Sequence, residues 1–246
     1  MNKISVLILA KNEEVNIKEC IESCTFADEV IVIDDNSEDK TKEIAESLGA
    51  KVINRCMNGD WGGQQTFAIK QANSEWIFFI DADERCTADL CEEIRKVVMK
   101  GEKYGYWVRR INHFKHKIVK HGPLSPDWVC RLMPKDGSYV EGFVHPKIVH
   151  QYKDKKLTKD MLHYTYETWD QYMRKMNQYS TLAAEKNKKE GKKCSFFFDI
   201  IFRPAFAFFK MYVLKLGFLD GQIGYMLSMN YANYTMNKYI KLKSLE

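Results

Sequence analysis

The first hundred residues carry short apolar runs separated by helical patterns. Residues 4–10 read Ile-Ser-Val-Leu-Ile-Leu-Ala, which predicts a strand buried on both faces. Val15, Ile17, Cys20, Ile21 and Cys24 share one side of a helix predicted over 13–25. A second strand is predicted at 29–33, a helix at 41–48 stopped by Gly49, and a third strand at 51–54. A helix follows at 61–72, then a fourth strand at 76–80. The next helix, at 87–99, has Thr87 as its N-cap and Asp89 in its first turn. Strands alternating with helices in this way predict a mainly parallel sheet with helices on both faces.

Such sheets bind ligands outside the carboxyl ends of their strands. Two of those ends are acidic. Asp81-Ala82-Asp83-Glu84 closes the fourth strand, and Asp81 and Asp83 can ligate a hard divalent cation through oxygen. The cation would neutralise a diphosphate. The plainer reading is one carboxylate capping a turn and the other solvated, and the second acidic strand end weighs against it. Asp34-Asp35 closes the second strand, where a carboxylate can accept from a ribose hydroxyl or a base N–H. Asp34 or Asp35 faces the ligand, while Ser37, Asp39 and Thr41 are structural, with Ser37 or Asp39 as the next N-cap. Lys11-Asn12-Glu13-Glu14 follows the first strand and contains no glycine. That excludes a dinucleotide or Walker phosphate loop.

After residue 100 the pattern changes. All five prolines (123, 126, 134, 146 and 204) lie there. Shorter strands are predicted at 104–111, 128–133 and 147–150. Helical spacing resumes near Thr168 with Tyr172, Met176, Tyr179, Leu182 and Ala183, and residues 186–193 form a polar close. Residues 195–219 are rich in phenylalanine.

Composition is globular, with 45% hydrophobic and 29% charged residues. Mean hydropathy is −0.43, and no apolar run of about 18 residues exists, so a spanning helix is not expected. The N-terminus lacks signal-peptide architecture, and none of the seven cysteines forms a Cys-x-x-Cys pair. These features point to a reduced, cytoplasmic protein without a structural zinc site. Charge is uneven. Residues 1–150 hold 21 basic and 24 acidic residues, a net of −3, whereas residues 151–246 hold 17 and 9, a net of +8. The basic part suits an anionic partner such as a membrane surface. No nucleic-acid motif is present.

Three segments together, Ile-Leu-Ala-Lys-Asn-Glu-Glu (8–14), Val-Ile-Asp-Asp-Asn-Ser-Glu-Asp-Lys-Thr (32–41) and Phe-Ile-Asp-Ala-Asp-Glu (79–84), resemble the family 2 glycosyltransferases of GT-A fold. Further motifs are similar to the lipopolysaccharide-core β-1,4-glucosyltransferase subgroup. They are Trp107-Val108-Arg109-Arg110, His121-Gly122, Pro126-Asp127-Trp128, Arg131-Leu132, Val144-His145 and Gly217-Phe218-Leu219-Asp220-Gly221. The resemblance implies a UDP-sugar donor, an inverting transfer of a sugar such as glucose, and a glycan or glycolipid acceptor. It gives Ala10, Lys11, Asn12, Glu13, Asp34, Asp35, Gln64, Asp81 and Ala82 to the nucleotide sugar, with Asp34 on the uridine. Asp81 and Asp83 would hold Mn²⁺ or Mg²⁺ on the diphosphate. The implied organisation is a GT-A catalytic domain over 1–165, with a nucleotide-sugar half to about 100 and an acceptor half after it. A helical extension occupies 166–246.

The chain departs from the subgroup at two places. Val144-His145-Pro146 stands where Val-His-Glu is usual, so a base or acceptor-binding duty of that Glu falls to Asp127, Glu141 or His145, with Asp127 favoured. Gln64-Gln65-Thr66-Phe67-Ala68 replaces Gln-Arg-Asn-Phe-Ala. A non-catalytic, membrane-associated binding protein of the same fold is the alternative reading. The aromatic, basic stretch after 195 suits an interfacial helix, which would make the protein peripheral on the cytoplasmic face of the membrane. A core helix or a dimer interface are its competing roles. The sequence leaves oligomeric state open.

Overall fold

The computed structural model describes residues 2–142 and 146–245. His145 lies outside the described residues. Two compact units divide the chain. The first holds residues 1–110 and 128–163, the second residues 111–127 and 164–246.

The first unit is built on alternation. β1 (Ile4–Ala10), β2 (Glu29–Asp34), β3 (Lys51–Asn54) and β4 (Trp76–Asp81) lie parallel in the order β3-β2-β1-β4. Successive side chains of β1 point to opposite faces. Ile4, Val6 and Ile8 enter one core with α1 (Ile17–Ser23), α2 (Thr41–Ser47) and α4 (Ala88–Lys100). Leu7 enters the other core with Ile31, Ile33 and Phe79, under α3 (Trp61–Gln71). The sheet is therefore covered on both faces, which is why its strands read as unbroken apolar runs.

Caps set the helix limits. Thr87 accepts from Leu90 N–H at 3.2 Å, as its position predicts. A cap of this type stabilises by about 1 kcal/mol. Gly49 (φ +80°) turns the chain after α2. α1 is shorter than the predicted 13–25 and begins at Ile17, because Glu13 to Asn16 form a turn anchored elsewhere. The N-cap of α2 is Lys40, not Ser37 or Asp39, and Ser37 bonds Asp34 instead.

Beyond β4 the strands predicted at 104–111, 128–133 and 147–150 are present, and four further strands among the described residues join them that the periodicity did not show. β5 (Glu84–Cys86), β6 (Gly105–Phe114) and β7 (Lys117–Val119) precede β8 (Asp127–Pro134), which runs antiparallel to β4. β9 (Ser138–Glu141) and β10 (Lys147–His150) form a separate hairpin. β11 (Asp154–Tyr166) pairs antiparallel with β5. The sequence hid β11 because charged residues fill its first half. Its inward side chains, Leu157, Met161 and His163, nonetheless keep the period of two.

The second unit has its own small core. Phe114, Val119, Tyr166, Tyr172 and Leu227 pack together, with Trp169 against Phe114. α5 (Trp169–Lys189) starts with a capping box between Thr168 and Gln171, and α7 (Gly221–Leu245) packs against it. Between them runs an irregular helical stretch: a π-helical turn over Phe196–Phe202, α6 (Arg203–Phe209), and a second π-helical turn over Lys210–Leu214.

Candidate active site

The candidate nucleotide residues gather at the carboxyl ends of β1 and β2, locked by hydrogen bonds. Asp34 is buried, and its carboxylate accepts from Ser37 N–H at 3.0 Å and Ser37 Oγ–H at 2.5 Å. Asp35 is also buried. Burial would raise its carboxyl, but the Met57 N–H at 2.8 Å and Lys11 Nζ at 3.1 Å outweigh it and hold it below the usual carboxylate range. Asp35 N–H in turn donates to Ala10 O at 2.9 Å.

The turn after β1 is fixed by the segment after β2. Asn12 sits at φ +55°, its N–H donates to Ser37 Oγ, and its Oδ1 accepts from Glu38 N–H. Glu13 N–H donates to Thr41 Oγ1 at 2.7 Å, and burial raises the Glu13 carboxyl. Gln64 is fully buried in α3, where its Nε2 donates to Arg55 O at 2.7 Å and its Oε1 accepts from Arg55 Nη1. Arg55 lies over the ring of Phe67.

The end of β4 carries a charge cluster. Asp81 N–H donates to Glu84 Oε2 at 2.9 Å, which folds the acidic segment back on itself. Arg131 of β8 then bridges the carboxylates, contacting Asp81 Oδ2 and reaching Glu84 Oε1 at 2.5 Å. Arg110 donates to Glu84 Oε1 at 3.0 Å and stands 3.9 Å from Asp81. Glu84 is fully buried, and burial pushes its carboxyl up despite the two arginines. Burial acts on Asp81 in the same direction, yet Arg131 overrides it and holds Asp81 down. Asp83 is partly buried, with His163 Nε2 3.4 Å from its Oδ2. Ala82 is buried, and its carbonyl accepts from Arg85.

This geometry refines the metal assignment. Asp81 is engaged by Arg131, whereas Asp83 faces an imidazole. Among the described residues no three carboxylate, imidazole or thiolate groups form a metal cage. One or two protein donors suffice for a divalent ion that takes its other ligands from phosphate and water. The carboxylate of Asp83 with the nitrogen of His163 fits that requirement. Arg131 Nε, buried with no hydrogen-bond partner, is a further donor in the same cluster.

Sequence reasoning missed His163, Arg110 and Arg131 as site residues. Arg110 and Arg131 stood within quoted motifs, and His163 was visible only as a polar residue on the inward side of β11. Glu141 is exposed on β9 and accepts from Tyr139 Oη at 3.1 Å. Asp127 belongs to the second unit, where Asn112 Nδ2 donates to it at 3.2 Å and Thr165 Oγ1 donates to Asn112 Oδ1.

The first unit thus has a parallel sheet in the order β3-β2-β1-β4, acidic strand ends and carboxylates held by arginines, an arrangement in keeping with the GT-A fold that the sequence resembles. The match to a family model gives the family. Residues 5–148 match the family model described as glycosyl transferase family 2, and the chain belongs to that family and is a glycosyltransferase. It is 32% identical over 260 residues to an uncharacterized glycosyltransferase of Rickettsia bellii, covering 99% of this chain and 87% of that one. It is 27% identical to the lipopolysaccharide core biosynthesis glycosyltransferase LpsC of Rhizobium meliloti, covering 94% of this chain and 88% of the other. Among solved structures, S. aureus TarS 1–349 aligns at 15% identity and a TM-score of 0.49, over 98% of this chain and 90% of that one.

Proposed function

We propose that the protein moves a sugar, glucose by its likeness to the core subgroup, from a UDP-sugar to a glycan or glycolipid acceptor. The acceptor class is lipopolysaccharide core, in keeping with the name of the LpsC relative. The observation that carries the reading is the cluster at the end of β4. There two arginines hold Asp81 and Glu84, and Asp83 pairs with His163. Asp34 and Asp35, with Ala10, Lys11, Asn12, Glu13 and Gln64 around them, form the nucleotide side of the pocket. In this reading Mn²⁺ or Mg²⁺ is held by Asp83 with His163, and the contact of Arg131 with Asp81 supports that choice over Asp81 with Asp83. Bound there, the ion supplies Lewis acidity to the departing diphosphate. Arg131 and Arg110 keep Asp81 and Glu84 in place, so Asp83 is presented in one geometry. Asp127 takes the acceptor-binding duty, as a carboxylate oriented by Asn112. Transfer inverts the anomeric carbon, giving a β-glycoside from an α-linked donor.

Calorimetric titration of UDP-glucose, UDP-galactose, UDP-N-acetylglucosamine and GDP-mannose, with Mn²⁺ and with EDTA, tests this. One UDP-sugar should bind, and only with metal. Binding of none would sink the donor assignment.

The same proposal places the enzyme as a peripheral protein on the cytoplasmic face of the membrane. No described helix is long and apolar enough to cross one. The stretch 196–214 has an inverted face. Its inward positions are Asp199, Pro204, Ala207 and Met211, while Phe197 is 77% exposed and Phe202 57%. Lys192, Lys193, Arg203, Lys210 and Lys215 lie within or beside this stretch of the sequence. Apolar side chains with basic neighbours suit an anionic lipid surface. Flotation with phosphatidylglycerol vesicles should carry the protein, and Phe197→Ser/Phe202→Ser should lower that binding at least tenfold. Unchanged flotation excludes this face.

A further inference from the structure

A cleft of about 350 Å³ lies between α5 and α7, wholly within the second unit. That is the small end of the range of roughly 300–1,000 Å³ that ligand pockets occupy. Its lining is rich in amides. Asn230, Asn233 and Asn237 follow one another at helical spacing on α7, and Asn177 lines the cleft from α5. Arg174 and Tyr234 add to the polar side, and among the described residues no carboxylate lines it. Arg174 makes no ion pair, and the side chains of Asn233 and Asn237 make no hydrogen bond, among the described residues.

Two of the amides are held in one orientation. Lys241 Nζ donates to Asn177 Oδ1 at 2.7 Å, and it also lies 2.8 Å from Asn177 O, 2.7 Å from Ser180 Oγ and 2.8 Å from Thr181 Oγ1. An ammonium only donates, so the Asn177 atom that meets it is the amide oxygen, and Nδ2 keeps both N–H groups for another partner. Asn230 shows the opposite end. Its Nδ2 donates to Met226 O at 2.8 Å, which leaves Oδ1 to accept. Asn233 and Asn237 offer both ends. Donors and acceptors thus stand side by side along the cleft, with Arg174 adding donors only. A phosphate or carboxylate accepts only and would leave the amide oxygens unpaired. An ammonium would leave the N–H groups unpaired and meet the guanidinium. A hydroxyl both donates and accepts, so a set of hydroxyls on one ring satisfies this lining. The ring of Tyr234 supplies apolar surface for the C–H groups of such a ligand.

We propose that the cleft between α5 and α7 binds a saccharide, its hydroxyls paired with Asn177, Asn233, Asn237 and Arg174. The inference goes beyond the donor and acceptor assignments of the preceding subsection and concerns the second unit alone. Membership of a glycosyltransferase family favours a hydroxyl-rich occupant over other polar ones. Lys241 is a positioning residue, since it sets which end of the Asn177 amide is free.

The test uses the full chain with its asparagine side chains labelled with nitrogen-15. Maltoheptaose, chitotetraose and deacylated, dephosphorylated lipopolysaccharide core oligosaccharide are titrated in turn and followed by NMR. At least one should shift the side-chain signals of Asn177, Asn233 and Asn237 and leave that of Asn16, in the first unit, in place. Asn233→Ala/Asn237→Ala should raise the Kd for that saccharide by about tenfold or more. Gln178→Ala, an exposed neighbour on α5 outside the cleft, should bind as the parent does. Both variants should keep the parent's urea midpoint. Inorganic phosphate should not displace the saccharide, and displacement would mark an anion site at Arg174 and overturn the proposal. So would a shift by none of the three saccharides, or a Kd for Asn233→Ala/Asn237→Ala within threefold of the parent. Each of these results leaves the donor assignment standing, because the calorimetric titration of UDP-sugars reads it separately.

Discussion

The phenylalanines of β4 and those of the stretch 196–214 have opposite fates. In the first unit Phe78 and Phe79 sit in adjacent positions of β4 and are buried on opposite faces of the sheet. In the second, Phe196, Phe197, Phe202 and Phe206 lie along one helical stretch and stay exposed. Both β4 rings are buried, because helices cover both faces of the sheet. The stretch 196–214 turns Asp199, Pro204, Ala207 and Met211 inward and its rings outward, so those rings stay exposed. Aromatic content alone therefore says little about a core. What decides is which residues the helix spends on its inward face.

That contrast can be broken directly. Phe78→Ala should cost about 3–5 kcal/mol of stability in urea unfolding, since it empties a packed site. Phe197→Ala should change stability by less than about 0.5 kcal/mol, as an exposed substitution does, while weakening vesicle binding. A large stability loss from Phe197→Ala would show that the ring is buried in the folded protein.

The charge cluster gives the next largest effect. Arg131→Met keeps much of the volume but leaves Glu84 and Asp81 without their bridging cation. Loss of one partner of a buried ion pair costs about 3–5 kcal/mol. The urea midpoint should fall accordingly, and Arg131→Lys should recover only part of it, because an ammonium lacks the guanidinium fork. Equal midpoints for parent and Arg131→Met would mean the bridge is dispensable. Asp83→Asn should act differently. It should leave the midpoint unchanged and lower affinity for Mn²⁺, measured in the presence of UDP, by about ten- to a hundredfold. His163→Ala should match it, and an unaffected His163→Ala would return the site to Asp81 with Asp83.

The first hundred residues were legible because their signals are local. Unbroken apolar runs, strand-end acids and Thr87 as a cap each need only a few neighbouring residues to be read. The partners of the strand-end carboxylates were not local. Arg131 reaches Asp81 from β8, fifty positions away, and His163 reaches Asp83 from a strand whose charged first half conceals its period. His121 and Asp220, whose side chains meet at 2.9 Å, likewise lie about a hundred positions apart. Spacing along a chain cannot report a contact made by strand order. Asp81 read as a metal ligand from its motif, and spacing could not show that Arg131 also contacts it. The aromatic stretch was ambiguous for another reason. Its inward face consists of Asp199, Pro204, Ala207 and Met211, a set that marks no helix face by hydrophobicity.

The smallest effect concerns an ion pair that ties two elements of the first unit, against one made within a single helical stretch of the second. Asp28 accepts from Arg95 of α4 at 3.0 and 3.2 Å and from Ile4 N–H at 2.9 Å, and the Arg95 bond is the main reason its carboxyl lies below the usual range. A carboxylate depressed in the folded state stabilises above the unfolded value of about 3.9, and that contribution disappears as pH falls through the folded value. Asp28→Asn should thus lower stability at pH 7 by no more than about 1 kcal/mol, as partly exposed pairs do. The difference from the parent should shrink as the pH drops below 4. Asp199 pairs with Arg203 four residues on, so Asp199→Asn removes a contact that joins no separate elements. Its effect at pH 7 should be the smaller of the two, and a larger one would show that the aromatic stretch depends on its internal ion pair for its helical form.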